Sequence, residues 1–485
     1  MKKTKKQAQQ LEQKGKYLDA LKLYHKILKQ EPKNPYNYNA VAVIFYKMGR
    51  YKDAATSLQD AIRLKPDYSE AYSNLGAIHA KFKNYNKAIS LYKRAISLKP
   101  EYPGAYTNLG NALNKTDEHE EAIHFHRIAI SLDTDSANNY ANCGSAYKNL
   151  GRFDRAENMY KKAISLDPNH VNAHFDLSTV LLQQEKNLEG FKEYEWRFRK
   201  DEMKGHLKKY KDIFSKPAYQ GQELNGERVL IHLEQGFGDA LMIARYLYDL
   251  KEKGAFIIVY LRKGLERLFE SMPCVDEVIV RSSKTPEFDY HLPIMSLPLV
   301  LDPHLKNLQK HYPYFKSKKK TRLKKKKKLN LGIVWGASNT GESYKNKVFD
   351  LRHFKMLAKH KDINVYSLQM DKDSADIQKY GMQDDIIDLK DKIDDFMSTL
   401  EIINSLDLVI TSDTSVAHLA GAMGAKVWVI LQKIPDWRWG VDENISKWYQ
   451  SARLFRQHSL KDFNSVFRQI YTAIDKEFKI KVIND

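Results

Sequence analysis

Cysteine is nearly absent, with two among 485 residues. Cys143 and Cys274 lie far apart in apolar surroundings. That excludes a disulfide framework and leaves no spacing for a cysteine-ligated metal. A reducing, cytoplasmic setting is expected. Long hydrophobic runs are also missing, and no stretch approaches the ~20 apolar residues of a membrane helix. The basic N-terminal segment MKKTKKQAQQLEQKGKY lacks the apolar core of a secretory signal, so export by that route is not expected. Acid is in deficit too, since 60 Asp and Glu face 80 Lys and Arg, a net charge of +20. Half of that excess sits in one run, Lys316–Lys328, with ten basic residues and no acid. Blocks of like charge are usually solvated, and no nucleic-acid-binding motif accompanies this one. It is expected to be a linker; the alternative is contact with an anionic partner, either a peripheral membrane surface or nucleic acid.

Hydrophobic residues make up 42% of the chain, enough for more than one core. The first 200 residues repeat themselves. Ala20, Ala54, Ala88, Ala122 and Ala156 are each 34 residues apart. Pro32, Pro66, Pro100 and Pro168 keep the same step, with Thr134 in the gap. Gly76, Gly110 and Gly144 keep it, and so do Tyr24, Leu58, Tyr92, His126, Tyr160 and Tyr194. A pair of antiparallel helices per unit accounts for this. Small residues fall where two helices approach, and proline falls where the second helix must stop. Units this small bury their apolar faces only by stacking. Period and pattern resemble the tetratricopeptide repeat, with about five units and a degenerate sixth ending near Arg199. Asn74, Asn108 and Asn142 also step by 34 and Asp176 continues them. A column of amides can bond an extended peptide backbone without reading its sequence, and this one resembles the asparagine ladder of O-GlcNAc transferases. The plainer alternative is that these residues bridge neighbouring repeats.

After residue 200 the pattern changes. Residues 201–226 are polar and broken by Pro217, Gly221 and Gly226, as expected of a linker. The strand-like run RVLIHL, the loop EQGFGD and a helical stretch follow, then AFIIVYL and DEVIV. Alternation restarts after the basic run at LNLGIVWG and passes through INVYSLQ and LDLVITS to KVWVILQ. Strands alternating with helices predict parallel sheets. The expectation is two Rossmann-like lobes, 227–312 and 329–485, joined by a basic linker over 313–328. A terminal helix over about 459–478 is expected to cross them. Ligands of such sheets bind at the carboxyl ends of the strands.

Three loops carry candidate chemistry. Gly236 and Gly238 allow a sharp exit from the first strand, beside Gln235. Asp239 then opens a helix, where a carboxylate can deprotonate an acceptor hydroxyl or simply cap the helix. In the second lobe Ser412, Asp413, Thr414 and Ser415 precede a helix thinned by Ala417, Ala420, Gly421 and Ala422. Hydroxyls and free amides there form an anion site, or an ordinary cap. Pro435–Gly440 sets Trp437 and Trp439 around Arg438, to stack on a base or sugar and neutralise phosphate, or to clamp the lobes together. Gly336, Ala337, Ser338, Lys347 and Arg352 are further phosphate candidates. Asp371-Lys372-Asp373 matches the metal-binding D-x-D pattern, but such a match arises readily by chance among 60 acidic residues. No metal is expected.

Together these segments resemble heptosyltransferase-type enzymes of glycosyltransferase family 9. LEQGFGDALMIARYL is similar to the family's first loop, and TSDTSVAHLAGAMGA to its donor-site signature. IPDWRWG, SKWY and SARLFRQ resemble a bacterial subgroup fused to tetratricopeptide repeats, some of whose members are implicated in glycosylating flagellin. The resemblance implies an α-solenoid followed by a GT-B fold. It implies an inverting, metal-independent transfer, with Asp239 as catalytic base. A nucleotide sugar serves as co-substrate, contacted by Asp413, Thr414 and His418, with no other cofactor. The acceptor would be a protein such as flagellin. Where the family often has Arg-Ser, this chain has Asn346-Lys347-Val348, which bears on the donor contact of Lys347. Two alternatives remain: transfer to a glycolipid, and a non-catalytic scaffold.

Overall fold

The computed structural model describes residues 2–281, 285–323, 327–337, 347–441 and 444–482. Ser338, Asn346 and Lys324–Lys326 of the basic run lie outside them. Residue contacts divide the chain into two units, 1–180 and 181–485.

The first unit is a helical solenoid. Its helices are α1 (Lys2–Gln13), α2 (Tyr17–Gln30), α3 (Pro35–Lys47), α4 (Tyr51–Leu64), α5 (Ser69–Lys81) and α6 (Tyr85–Leu98). They continue with α7 (Pro103–Lys115), α8 (His119–Leu132), α9 (Ala137–Asn149), α10 (Phe153–Leu166) and α11 (Val171–Gln183). The first helix of a pair opens at residue 35, 69, 103, 137 and 171, so the 34-residue step of the sequence is the step of the fold. Pro35 and Pro103 take the N1 position, where a missing N–H costs nothing. The second helices stop two residues before Pro66, Pro100 and Pro168, and also before Thr134. Proline therefore reinforces a stop that the packing already makes.

Two of the sequence series turn out to be halves of one lock. A Cβ on Gly76 would stand 2.7 Å from the Tyr92 ring, one on Gly110 2.6 Å from the His126 ring, and one on Gly144 2.8 Å from the Tyr160 ring. Glycine in the first helix admits the ring from the second. The alanines of the 34-residue series, from Ala20 to Ala156, are fully buried. His126 replaces tyrosine in one unit. It is buried, neither ring nitrogen has a partner among the described residues, and burial depresses its pKa to about 4.

In the second unit, two parallel sheets organise the chain. The first holds β1 (Arg228–His232), β2 (Phe256–Leu261), β3 (Glu277–Val280) and β4 (Tyr290–Pro293) in the order 3-2-1-4. The second holds β5 (Leu329–Val334), β6 (Ile363–Ser367), β7 (Ile386–Asp388), β8 (Leu408–Ser412), β9 (Val427–Leu431) and β10 (Ala452–Arg456) in the order 10-9-8-5-6-7. All pairings between these strands are parallel. Strand order reverses beside β1 in one sheet and between β5 and β8 in the other. These switch points are where an open α/β sheet leaves a crevice. The strands β4, β7 and β10 are short or polar, and the hydropathy pattern does not announce them.

Residues 201–226 are built into this unit. They contain helices Asp201–Lys209 and Lys211–Phe214. Ile213 enters the core with Leu230 and Ile258, and the Tyr219 amide donates to His291 O at 3.0 Å. The basic run is likewise tied down where it is described. Asn404 Nδ2 donates to Ser317 O and Lys319 O at 3.0 and 2.9 Å, and Lys328 pairs with Asp362 at 3.3 Å. The terminal helix runs from Phe463 to Phe478. Its buried face, including Val466, Phe467, Ile470 and Ile474, joins the core of the second sheet with Leu331, Ile333 and Trp428. Among the described residues no helix is long and apolar enough to cross a membrane.

Candidate functional site

The switch-point loops meet. β1 leads through Glu234 and Gln235 into the helix Phe237–Ile243, and β8 leads through Asp413 and Thr414 into the helix Ser415–Ala422. These two helices touch at Gly238, where a Cβ would lie 2.8 Å from His418 Cδ2. Glycine is needed at that point because any side chain would wedge the sheets apart. Gly421 plays the same part on the far side, against the Tyr449 ring.

Asp239 sits at the N3 position, and its Oδ2 accepts from the Gly236 amide at 3.1 Å. It is therefore a helix cap. It is also more than that, because Oδ1 accepts from Arg438 Nη2 at 2.5 Å. The Arg438 Nη1 donates to Asp436 Oδ1 at 2.6 Å. Lys347 Nζ is 2.6 Å from Asp413 Oδ2. Burial opposes the charges of Arg438 and Lys347, yet their acidic neighbours outweigh it and raise both pKa values. Burial likewise opposes the charge on Asp436, and Arg438 and Lys347 reverse it to hold the carboxyl below its ordinary value. His418 has no such rescue. Burial depresses its pKa to about 4, Asp413 at 4.0 Å notwithstanding, so it is a neutral ring at pH 7. Its Nδ1 bonds Tyr449 OH at 2.9 Å, and the ring stacks on Trp439 with centroids 5.0 Å apart.

The remaining candidates fall into place around this core. Thr414 is the N-cap, and its hydroxyl meets Thr411 Oγ1 at 2.9 Å rather than an amide of the helix. Ser415 is half-buried in the first turn, whose amides have no partner within the helix. Gly336 lies beside β8, since Ser412 Oγ donates to its carbonyl at 3.3 Å. Its own amide donates to Gln369 Oε1 at 2.9 Å, so that N–H is already engaged. Trp437 is packed between Phe191 and Trp448 at 6.1 and 6.0 Å, with Arg438 4.5 Å from its ring centroid. It also lines a cavity of about 170 Å³ together with Arg438, Trp439, Trp448 and His304. Arg352 is exposed and paired with Asp350 at 2.7 Å. Asp371 caps a turn by accepting from the Asp373 amide at 3.0 Å, which accounts for the D-x-D match. Asp249, Glu252 and His311 lie close enough to share an ion, but the Lys310 ammonium already bridges both carboxylates.

Several supporting residues give no signal in sequence. Arg245 is buried, donating to Leu308 O at 2.6 Å and to Trp448 O at 2.9 Å, so the first lobe's helix is bound to the loop that follows the clamp. Arg197 and Glu234 form a fully buried pair at 3.0 Å directly before the Gln235–Gly236 loop. Among the described residues Glu234 Oε2 has no partner, and burial raises the pKa of Glu234 in spite of Arg197. Each sits in a strongly polar motif, but only coordinates show it buried.

On the solenoid, Asn74, Asn108, Asn142 and Asp176 are all half-buried on the first helix of their pairs. Asn74 Nδ2 donates to Asn39 Oδ1 at 2.8 Å, bridging neighbouring units, and Asp176 pairs with Lys148 at 2.6 Å. No hydrogen bond engages the Asn108 or Asn142 side chain among the described residues.

Three tetratricopeptide-repeat profiles match, over residues 39–105, 91–124 and 137–170. The N-terminal region carries tetratricopeptide repeats. Such solenoids are protein-interaction scaffolds, and the repeat region supports that role here. The chain is similar to MamA at 29% identity, covering 33% of this chain and 94% of that one, with a TM-score of 0.30. It is similar to YrrB, described as a TPR protein with an unusual peptide-binding site, at 17% identity over 38% of this chain and 97% of that one, with a TM-score of 0.32. It is also similar to TTC0263, a thermophilic TPR protein in Thermus thermophilus, at 22% identity over 37% and 98%, with a TM-score of 0.34. No curated protein matches the chain.

Proposed function

We propose that the second unit is an inverting glycosyltransferase of the GT-B type, and that the tetratricopeptide repeats recruit its protein acceptor. One observation carries this reading. The helix that carries Asp239 at the carboxyl end of β1 packs against the helix after β8 at Gly238 and His418, and Asp239 is bonded at 2.5 Å to Arg438 in the loop after β9. In the proposed reaction Asp239 takes the proton of an acceptor Ser or Thr hydroxyl. The hydroxyl oxygen bonds to the anomeric carbon of a nucleotide sugar as the bond from that carbon to the phosphate oxygen breaks. The leaving phosphate departs with the electron pair. Thr414, Ser415 and the amides of their helix face the departing charge, and Arg438 and Lys347 neutralise it. His418, a neutral ring stacked on Trp439, shapes the wall of the site.

Intact-mass analysis of candidate acceptors, flagellin first, co-expressed with this protein tests the reading. A defined mass increase is expected with the natural chain, and Asp239→Asn should lower its rate about 10²- to 10⁴-fold. Undiminished transfer by Asp239→Asn would overturn the base assignment. Replacing Asn74, Asn108 and Asn142 by alanine separates protein from glycolipid acceptors. Only transfer to protein should fall.

A further inference from the structure

We propose that Arg438 couples donor binding to the catalytic base: a diphosphate in the crevice draws the guanidinium away from Asp239, and only then is the carboxylate open to an acceptor hydroxyl. The inference rests on the transferase reading of Asp239.

Charge in the resting site is the first reason. Asp239, Asp413 and Asp436 supply three carboxylates, while Arg438 and Lys347 supply two cations, leaving one net negative charge before any phosphate arrives. A diphosphate cannot simply be added to such a cluster. One or both cations must exchange a carboxylate for a phosphate. The second reason is geometry at the base. Oδ1 of Asp239 is held by Arg438 and Oδ2 by the Gly236 amide, so the guanidinium occupies one of the lone-pair directions open to a hydroxyl and, as a cation in direct contact, makes the carboxylate a weaker base. The third is the character of Arg438. A planar guanidinium matches phosphate as well as carboxylate, and the buried Arg438 Nε–H has no partner among the described residues. Lys347 is committed to Asp413, so moving it alone would leave Asp239 still covered.

The consequence is an ordered site in which the base is exposed after the donor binds. Coupling of this kind is reciprocal. If phosphate competes with Asp239 for Arg438, then removing the charge of Asp239 must strengthen phosphate binding through Arg438 and through nothing else.

The test is a double-mutant cycle read by calorimetric titration of the full chain with inorganic pyrophosphate at one fixed, low ionic strength. Wild type, Asp239→Asn, Arg438→Gln and the double variant are compared. Asp239→Asn should tighten pyrophosphate binding about tenfold, within the range measured for coupled contacting charges. Arg438→Gln should weaken it by a similar factor, and in that background Asp239→Asn should give no gain. An equal gain in both backgrounds would reduce the effect to the field of the carboxylate and overturn the proposal. So would no gain, or no binding of pyrophosphate by the wild type. Should Arg438→Gln fail to fold, Arg438→Lys takes its place. It keeps the charge but not the fork, and must shrink the gain. The cycle needs no turnover, so the two ideas fail separately. Coupling without sugar transfer sinks the transferase reading, and transfer without coupling sinks the gate.

Discussion

His418 makes the second unit sensitive to mild acid. Its folded pKa is about 4, against an ordinary 6.5, because burial beside Trp439 and Tyr449 penalises the imidazolium. The unfolded chain binds a proton more readily than the folded one between these values. The depressed group therefore contributes stability that is fully present above pH 6.5 and is lost as the pH falls toward 4. The complete shift of 2.5 units corresponds to roughly 3 kcal/mol, at 1.36 kcal/mol per unit. Between pH 7 and pH 5 the loss is about 2 kcal/mol by the same linkage. Urea denaturation followed by tryptophan fluorescence measures it, since all six tryptophans, from Trp196 to Trp448, lie in the second unit. His418→Asn keeps a polar atom near Tyr449 OH but does not titrate. Other histidines contribute equally to both proteins, so the difference between their pH dependences isolates His418. If wild type and variant lose the same stability between pH 7 and pH 5, the burial argument is wrong.

Two further perturbations test how the crevice is held. Arg197→Met leaves Glu234 buried without its cation and should cost about 3–5 kcal/mol in the same urea assay. Adding Glu234→Gln should return a large part of that, and an exposed-pair cost under ~1 kcal/mol would show that the pair is not desolvated. Gly238→Ala places a methyl against the His418 ring and should destabilise the second unit by about 1–3 kcal/mol. A neutral Gly238→Ala would mean that the two helices separate freely.

The solenoid was legible because its contacts are local. The rings of Tyr92, His126 and Tyr160 each meet a glycine 16 residues earlier, as Gly76 meets Tyr92, so a fixed period in the chain becomes a fixed neighbour in space. Parallel strands such as β5 and β8 were legible for a related reason, being buried on both faces and hence mostly apolar. Strands β4, β7 and β10 were not, and residues 201–226 looked like linker, because their structure comes from partners far along the chain. Tyr219 reaches its place by bonding His291. The same distinction holds at the site. Asp239, Asp413, Thr414 and His418 stand out as motifs, while Asp436, Arg245 and the Arg197–Glu234 pair acquire meaning only from burial.

The amino-acid order alone determined a 34-residue helical repeat, an α/β half and the loops that carry polar chemistry, since periodicity and turn residues act within a few dozen positions. What the tertiary structure decided is which charges meet. Asp239 is joined to Arg438 across 199 residues of chain, and Lys347, beyond β5, to Asp413, beyond the neighbouring strand β8. Electrostatic partnership depends on distance and desolvation in space, and neither quantity is written in sequence spacing.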